Sequence, residues 1–156
     1  MKVLVAYYSW KGHTEMLARN VAPKLNADLV KIEPLEDPGP GMGGKAMKAL
    51  FGLKAGIKPC LSDMKEIDHL VIATPVWAHK IPPYTREYVS GIRNCAGKKF
   101  SVIAEMGGSG AESVIALVRK ILEAKGMKFV TSAQFIEKEV EAGKFEEPLD
   151  QFAENF

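Results

Sequence analysis

KVLVAYYSWKGHT, residues 2–14, is the stretch that decides the fold class of this sequence. Its first half is a continuous apolar run, which is typical of a β-strand covered on both faces. Its second half, from Ser9 to Thr14, is short and mostly polar and contains Gly12. A helical pattern follows at 14–25, where apolar residues recur roughly along one face. A buried strand, a polar loop and an amphipathic helix in this order predict the first unit of an α/β sheet.

Four further segments are predicted to be strands. Residues 70–74 and 100–104 are almost continuously apolar and therefore belong in the centre of a parallel sheet. Residues 29–33 and 127–135 mix polar with apolar side chains and are therefore placed at its edges. Right-handed connections through intervening helices then produce a doubly wound five-stranded parallel sheet in the order 2-1-3-4-5, with helices on both faces.

Helices are also predicted at 83–92, 112–124 and 147–156. Pro23 is expected to kink or end the first helix near Asn20, because proline removes a hydrogen bond from the helix interior. A chain of 156 residues fits one compact domain, so residues 1–156 are predicted to form a single domain.

The segment 36–63 interrupts the alternation of strands and helices. It is rich in Gly and Pro around a candidate helix at 45–53. Two interpretations are open: a variable surface connection, or a mobile flap that brings Phe51 or Met47 against a substrate.

Composition excludes several classes of protein. The net charge is +2 and the basic residues alternate with acidic ones, so no concentrated basic face for nucleic acid is expected. Cys60 and Cys95 lie far apart and have no metal-ligand spacing, which predicts free thiols in a reducing compartment and no metal site. Neither a signal peptide nor an apolar run long enough for a membrane span is recognisable, so a cytoplasmic protein is expected.

The loop from Ser9 to Thr14 has the features of an anion cradle. Hydroxyl groups stand at both of its ends, Gly12 allows close approach of the backbone, and a helix start offers free N–H groups. The alternative is that Thr14 merely caps the helix. The fingerprints of a Walker loop and of a Rossmann dinucleotide site are both absent from the sequence.

Two more loops follow the central strands. In the first, Trp77 stands among prolines and offers a flat apolar wall to an aromatic ring, or else covers the end of the core. In the second, the glycines of 105–110 allow positive φ angles and close approach of backbone to a ligand, or else form a simple turn. Because the carboxyl ends of parallel strands meet at one edge, all three loops are expected together there.

Taken together, the three loops resemble those of the flavodoxin-like FMN-binding proteins, and the resemblance covers nearly the whole chain. Residues 9–14 look like that family's Ser/Thr-x-x-Gly-x-Thr phosphate loop. Thr-Pro-Val-Trp at 74–77 and Gly-Gly-Ser-Gly at 107–110 look like its ring-binding loops in the flavodoxin and NAD(P)H:quinone oxidoreductase branch.

The resemblance implies roles in cofactor binding but assigns no catalytic residue. The FMN phosphate is expected to be held by Ser9, Lys11, Gly12, His13 and Thr14. The isoalloxazine ring is expected against Thr74, Pro75, Val76, Trp77 and Ala78, with the pocket completed by Glu105, Met106, Gly107 and Gly108. Trp10, inside the phosphate loop, is expected either to pack over the ribityl chain or to face solvent.

The resemblance further implies a redox protein that transfers electrons through non-covalent FMN. The slightly positive charge differs from that of the usually acidic flavodoxin carriers, and residues 105–110 include no aromatic residue to cover a flavin. Both departures favour an NAD(P)H-dependent oxidoreductase, with a small-molecule acceptor or a redox protein as partner. An electron carrier that docks to a partner enzyme and a scaffold without flavin are the alternatives, and a homo-oligomer is left open.

Overall fold

The computed structural model describes residues 1–36 and 55–156 of the chain. In chain order the elements are β1 (Val3–Tyr7), α1 (His13–Lys24), β2 (Asp28–Lys31), β3 (His69–Pro75), α2 (Pro83–Gly91), β4 (Lys99–Met106), α3 (Ala111–Ala124), β5 (Lys128–Ile136), α4 (Glu137–Glu141) and α5 (Glu146–Ala153). The candidate helix at 45–53, and with it the suggested contacts of Phe51 and Met47, falls outside the described residues.

The five strands form one parallel sheet in the order β2-β1-β3-β4-β5, which confirms the predicted α/β fold. Pairing of β1 with β3 runs from Val3 opposite His69 to Tyr7 opposite Ala73. Every residue of β1 and β3 is buried, whereas β2 and β5 are partly exposed. The mixed composition of β2 and β5 therefore marked the edges correctly. The single domain over 1–156 stays a prediction.

Helices cover both faces of the sheet, and the side chains of each strand point alternately to one face and the other. On one face, Leu4, Leu70 and Phe100 pack with residues of α2 and α3. On the other, Val5 and Val71 pack with residues of α1, α4 and α5. Burial of these aliphatic and aromatic side chains is the main favourable contribution to folding, at about 25 cal/mol per Å² of apolar surface.

Pro23 does not end the first helix early, so that expectation is wrong. It lies inside the last turn of α1, which continues to Lys24. A proline at this position removes only one hydrogen bond near the helix end. The chain leaves the helix where Leu25 N–H bonds the carbonyls of Val21 and Ala22, and Asn26 follows with a φ of 47°.

Near its end the chain differs from the expectation in two places. The final helix begins at Glu146 and ends at Ala153, rather than extending over 147–156. A short helix, α4, starts directly after β5 and was not expected. Because β5 is parallel to the other strands, α4 begins at the same sheet edge as the three loops. None of the helices in the two described ranges combines the length and hydropathy needed to cross a membrane.

Candidate functional site

One cleft brings the three loops together at the carboxyl ends of β1, β3 and β4. Its volume is about 520 Å³, including space open to solvent. The lining residues are Trp10, Lys11, His13, Pro75, Val76, Trp77, Glu105, Gly107 and Glu137. Eight of these nine residues were predicted from the sequence as cofactor-binding residues, and Glu137 was not.

The first loop turns sharply just before α1. The Gly12 N–H donates to Ser9 Oγ at 3.1 Å, and Gly12 has a φ of 99°, in the left-handed region that favours glycine. Because Ser9 Oγ accepts this bond, its hydroxyl proton remains available to an acceptor. The first amides of a helix also lack partners within the helix. The loop therefore offers several hydrogen-bond donors close to one another.

Thr14 is placed differently from the expectation that its hydroxyl faces the ligand. Its side chain is buried, with 1% of the residue exposed. The Thr14 hydroxyl donates to Glu105 Oε2 at 3.4 Å, which links the first loop to the third. This arrangement makes Thr14 a support beneath the cleft.

Lys11 and His13 of the first loop lie close to carboxylates from other parts of the chain. Lys11 Nζ lies 3.4 Å from Glu137 Oε1. His13 Nε2 lies 3.0 Å from Glu141 Oε1, and His13 Nδ1 lies 3.6 Å from Glu137 Oε1 and 4.0 Å from Glu105 Oε1. Two basic side chains of the first loop thus face three carboxylates, one from the end of β4 and two from α4.

Glu105 is the most deeply buried of these acids, at 7% exposure. Burial raises the pKa of its carboxyl above the usual range, and the nearby Glu137 acts in the same direction. His13, Lys11 and the Thr14 hydroxyl oppose that increase in pKa. A carboxyl with a raised pKa at the wall of a cleft is common at functional sites.

The second loop contains a tight turn from Trp77 to Lys80. Each of these two residues donates its N–H to the carbonyl of the other, at 2.9 and 2.8 Å. The two central residues, Ala78 and His79, have φ values of 47° and 62°. Positive φ at both central positions is typical of a type I′ turn, which glycine and asparagine normally favour. Ala78 and His79 therefore hold an uncommon backbone conformation beside the cleft.

Trp77 backs the cleft from inside the core. It is 1% exposed and contacts the rings of Tyr8, Trp10 and Tyr84 edge-on. The interpretation that it covers the end of the core therefore describes its side chain better than an exposed flat wall. Its indole Nε1 is buried without a hydrogen-bond partner in the described part of the chain.

Thr74 does not face the cleft. It is fully buried, and its hydroxyl is 2.9 Å from that of Thr85 in α2. Ala78 and Met106 are also outside the lining of the cleft, although their neighbours Trp77 and Gly107 are part of it.

The third loop packs closely against the second. Gly110 has a φ of 98°, and a Cβ there would lie 2.9 Å from Val76 Cγ1 and 3.0 Å from His79 Cα. Ser109 Oγ lies 3.0 Å from His79 Nε2. Positive φ is thus found at Gly110 and not at Gly107 or Gly108. Those two glycines are exposed, with open space where a Cβ would stand.

A second cleft adjoins the first and shares Trp10 with it. Its volume is about 760 Å³ with space open to solvent, and its other lining residues are Tyr8, Ser9, Lys31, Glu33, Pro34, Leu35 and Lys58. Trp10 is half-buried and lies between the two clefts.

Glu137 and Glu141 of α4 are the site residues that sequence reasoning missed. The sequence after β5 could have indicated them, because residues that follow a fifth parallel strand lie at the same sheet edge as the three loops. Glu137, Glu139 and Glu141 are concentrated there. Their partners in the first loop, 124 to 128 residues away, follow only from the packing of α4 against α1.

Comparisons with known proteins agree with this geometry. Residues 1–141 match the model of a family described as NADPH-dependent FMN reductase. A comparison with curated proteins finds no match.

Three solved structures with similar folds are described as a flavoprotein or a flavodoxin. A Bacteroides uniformis protein provisionally described as a flavoprotein is 19% identical, with a TM-score of 0.77 over 98% of this chain and 97% of that chain. A Lactobacillus acidophilus flavoprotein in complex with FMN is 19% identical, with a TM-score of 0.69 over 90% and 97%. A flavodoxin of Streptococcus pneumoniae is 16% identical, with a TM-score of 0.63 over 99% and 97%. At these identities the likeness establishes the shared flavodoxin-like fold.

Proposed function

Because this chain belongs to the NADPH-dependent FMN reductase family, we propose that it binds FMN without a covalent bond in the three-loop cleft and transfers electrons from NAD(P)H to a small-molecule acceptor. An FMN-binding redox protein of flavodoxin-like fold is the function to which family and fold both point. The location of the cofactor, the donor and the acceptor are the parts that this proposal adds.

The single observation that supports the location best is the convergence of the loops after β1, β3 and β4 on one cleft. In doubly wound sheets, ligands bind outside the carboxyl ends of the strands, where the winding reverses. Here that position lies between β1 and β3, which are neighbours in the sheet.

Glycines of the first and third loops, in and beside the cleft, fit FMN. A Cβ on Gly12 or Gly108 would meet no heavy atom within 4 Å in the described residues, and one on Gly107 would meet only Glu137 Oε2 at 4.0 Å. The backbone at these glycines is therefore open to close approach by a ligand. The buried Trp77 Nε1, which lacks a partner among the described residues, is a further donor behind the cleft.

The residues of the first loop would hold the phosphate end. Ser9 would donate its hydroxyl proton, Lys11 would supply positive charge, and His13 would offer a ring nitrogen. Amides at the start of α1 would add hydrogen bonds and the favourable field of the helix dipole. Thr14 would contribute indirectly, by fixing Glu105 beneath the loop.

The second and third loops would hold and orient the ring. Pro75 and Val76 provide an apolar wall with the buried Trp77 behind it, and Gly107 lines the same cleft. FMN itself supplies the two-electron chemistry, and the protein supplies binding, orientation and electrostatics. Since residues 105–110 include no aromatic side chain, the third loop leaves room for a nicotinamide or an acceptor.

We also propose a reducing compartment, the cytoplasm, as the site of action. Cys60 and Cys95 are both free thiols, as expected where disulfides do not form.

An anaerobic titration of the FMN-loaded protein with NADPH, and then with NADH, tests the function. We expect the visible absorbance of the flavin to bleach rapidly, while free FMN at the same concentration remains coloured. A protein that binds FMN but bleaches only with dithionite would contradict the reductase activity and point to a carrier. A protein that takes up no FMN would contradict the proposal as a whole.

A further inference from the structure

The basic side chains of the first loop are already paired with acids from α4. Lys11 Nζ lies 3.4 Å from Glu137, and His13 lies 3.6 Å from Glu137 and 3.0 Å from Glu141. Glu137 and Glu141 are both on α4, one helical turn apart, so that both face the first loop.

A phosphate monoester is an anion of charge about −1.5 to −2 at neutral pH. It would compete with Glu137 and Glu141 for Lys11 Nζ and for the ring nitrogens of His13, and it would be repelled wherever the carboxylates stayed in place. A flavin without a phosphate would meet neither effect. Through Lys11 and His13, the two acids therefore act on the phosphate end of a ligand.

The three acids around His13 differ in their freedom to move. The side chains of Glu137 and Glu141 are 26% and 56% exposed, so rotation into solvent is open to them. The side chain of Glu105 is 9% exposed and accepts a hydrogen bond from Thr14. Entry of a phosphate would thus displace the α4 acids and leave Glu105 where it is.

We propose that Glu137 and Glu141 are specificity-determining residues, which weaken the binding of phosphorylated flavin relative to riboflavin by occupying Lys11 and His13. This inference rests on the proposed function, since it assumes that flavin phosphate enters the first loop. It concerns the strength and selectivity of flavin binding and adds no step to the reaction.

Equilibrium binding of FMN and riboflavin, followed by quenching of flavin fluorescence, tests the inference. In the double variant Glu137→Gln with Glu141→Gln we expect the Kd for FMN to fall by about tenfold or more, which corresponds to about 1.4 kcal/mol. The Kd for riboflavin should stay the same. Both substitutions keep the size of partly exposed side chains, and circular dichroism will verify the fold.

Glu139→Gln is the matched control. Glu139 lies on the same helix, is exposed and forms no ion pair within the described residues, and its loss changes the net charge in the same direction. It should leave both Kd values unchanged. Because the control removes one negative charge and the double variant removes two, a gain in the control of about half the free-energy change of the double variant, or more, would mean that net charge alone is responsible and would overturn the inference.

Other outcomes also decide the matter. If FMN binding is unchanged or weaker in the double variant, or if both flavins change equally, the acids do not select against phosphate and the inference is wrong. In each of those cases the wild-type protein still binds FMN, so the proposed function stands. Absence of FMN binding in both proteins would overturn the proposed function and this inference with it.

Discussion

Trp10 and Trp77 meet edge to face, with ring centroids 5.9 Å apart and planes at 77°. The two indoles come from different loops, yet only Trp77 is fully buried, and Trp10 is half-exposed between two clefts. The contact joins the first loop to the second at the sheet edge. Of the two side chains in this contact, Trp77 stabilises the core and Trp10 forms part of the surface of both clefts.

We expect the substitutions Trp77→Ala and Trp10→Ala to differ in their effect on stability. Removal of a fully buried tryptophan creates a large cavity and should lower the free energy of unfolding by about 3–5 kcal/mol. Removal of Trp10 leaves a space that solvent can fill, so the loss should be about 1 kcal/mol. Urea unfolding of the flavin-free proteins measures both values. Equal losses would contradict the different burial of the two rings.

Gly110→Ala should destabilise the protein by about 1–3 kcal/mol. The new Cβ would require a left-handed backbone and would collide with Val76 and His79. Gly91→Ala, at the end of α2, is the control, because a Cβ there meets nothing within 4 Å in the described part of the chain and the site lies away from the cleft. Thermal unfolding compares the two variants. A harmless Gly110→Ala would show that the second and third loops are not packed as closely as the structure has them.

Stability should fall as the solution is acidified below pH 6.5, in part because of His69. Burial lowers the pKa of this imidazole from 6.5 to about 4, with the charge of Lys99 adding to the effect. The unfolded chain therefore binds a proton between pH 6.5 and pH 4 that the folded protein does not, and this favours unfolding. The contribution is about 2 kcal/mol after allowance for solvent screening.

His69→Gln tests this prediction, since glutamine preserves a polar group near Ser101 Oγ, the present partner of His69 Nε2 at 2.9 Å. The loss of stability between pH 7 and pH 5 should be smaller in the variant than in the wild type. His79→Gln, an exchange of an exposed histidine, should leave the wild-type pH dependence in place. The same pH dependence in wild type and His69→Gln would argue against a neutral buried imidazole.

Glu105→Gln is expected to stabilise the flavin-free protein at neutral pH. Because burial raises the pKa of this carboxyl above its usual range, ionisation costs more in the folded state than in the unfolded one. The wild type therefore loses stability as the pH rises from the ordinary carboxyl pKa through the raised one. The variant lacks this loss, and its advantage should disappear in acid, as measured by urea unfolding at several pH values. A destabilised variant at neutral pH would mean that the bond from Thr14 and the charge of His13 outweigh the cost of burial.

The strand order of the sheet could be predicted from the sequence, because central strands are continuously apolar and edge strands are mixed, and this difference depends only on burial. The gathering of three loops could also be predicted, since parallel pairing requires it. Thr74 shows where residue types mislead. It continues the alternation of Leu70 and Ile72 on the face of α2, so its hydroxyl points into the core towards Thr85. The alternation of side chains between the two faces of a strand, continued to the end of β3, would have predicted that Thr74 points into the core.

Other features depend on contacts that local patterns do not encode. Pairing of His13 with Glu141 requires the packing of α1 against a helix more than a hundred residues later in the chain. The left-handed turn at Ala78 and His79 is held by the close approach of Gly110 and by Ser109. Neither residue has a strong preference for such a turn, so the sequence gives little local sign of it.

Fluorescence titration of FMN into the wild-type protein and into Gly107→Val tests the central claim, that flavin binds in the three-loop cleft. Gly107 is exposed and lines the cleft, so a valine should occupy ligand space without disturbing the core. We expect one FMN to bind per wild-type chain, and binding to Gly107→Val to weaken by at least about tenfold with an unchanged melting temperature. Equal FMN affinities in the two folded proteins would contradict the account, because they would place the flavin elsewhere.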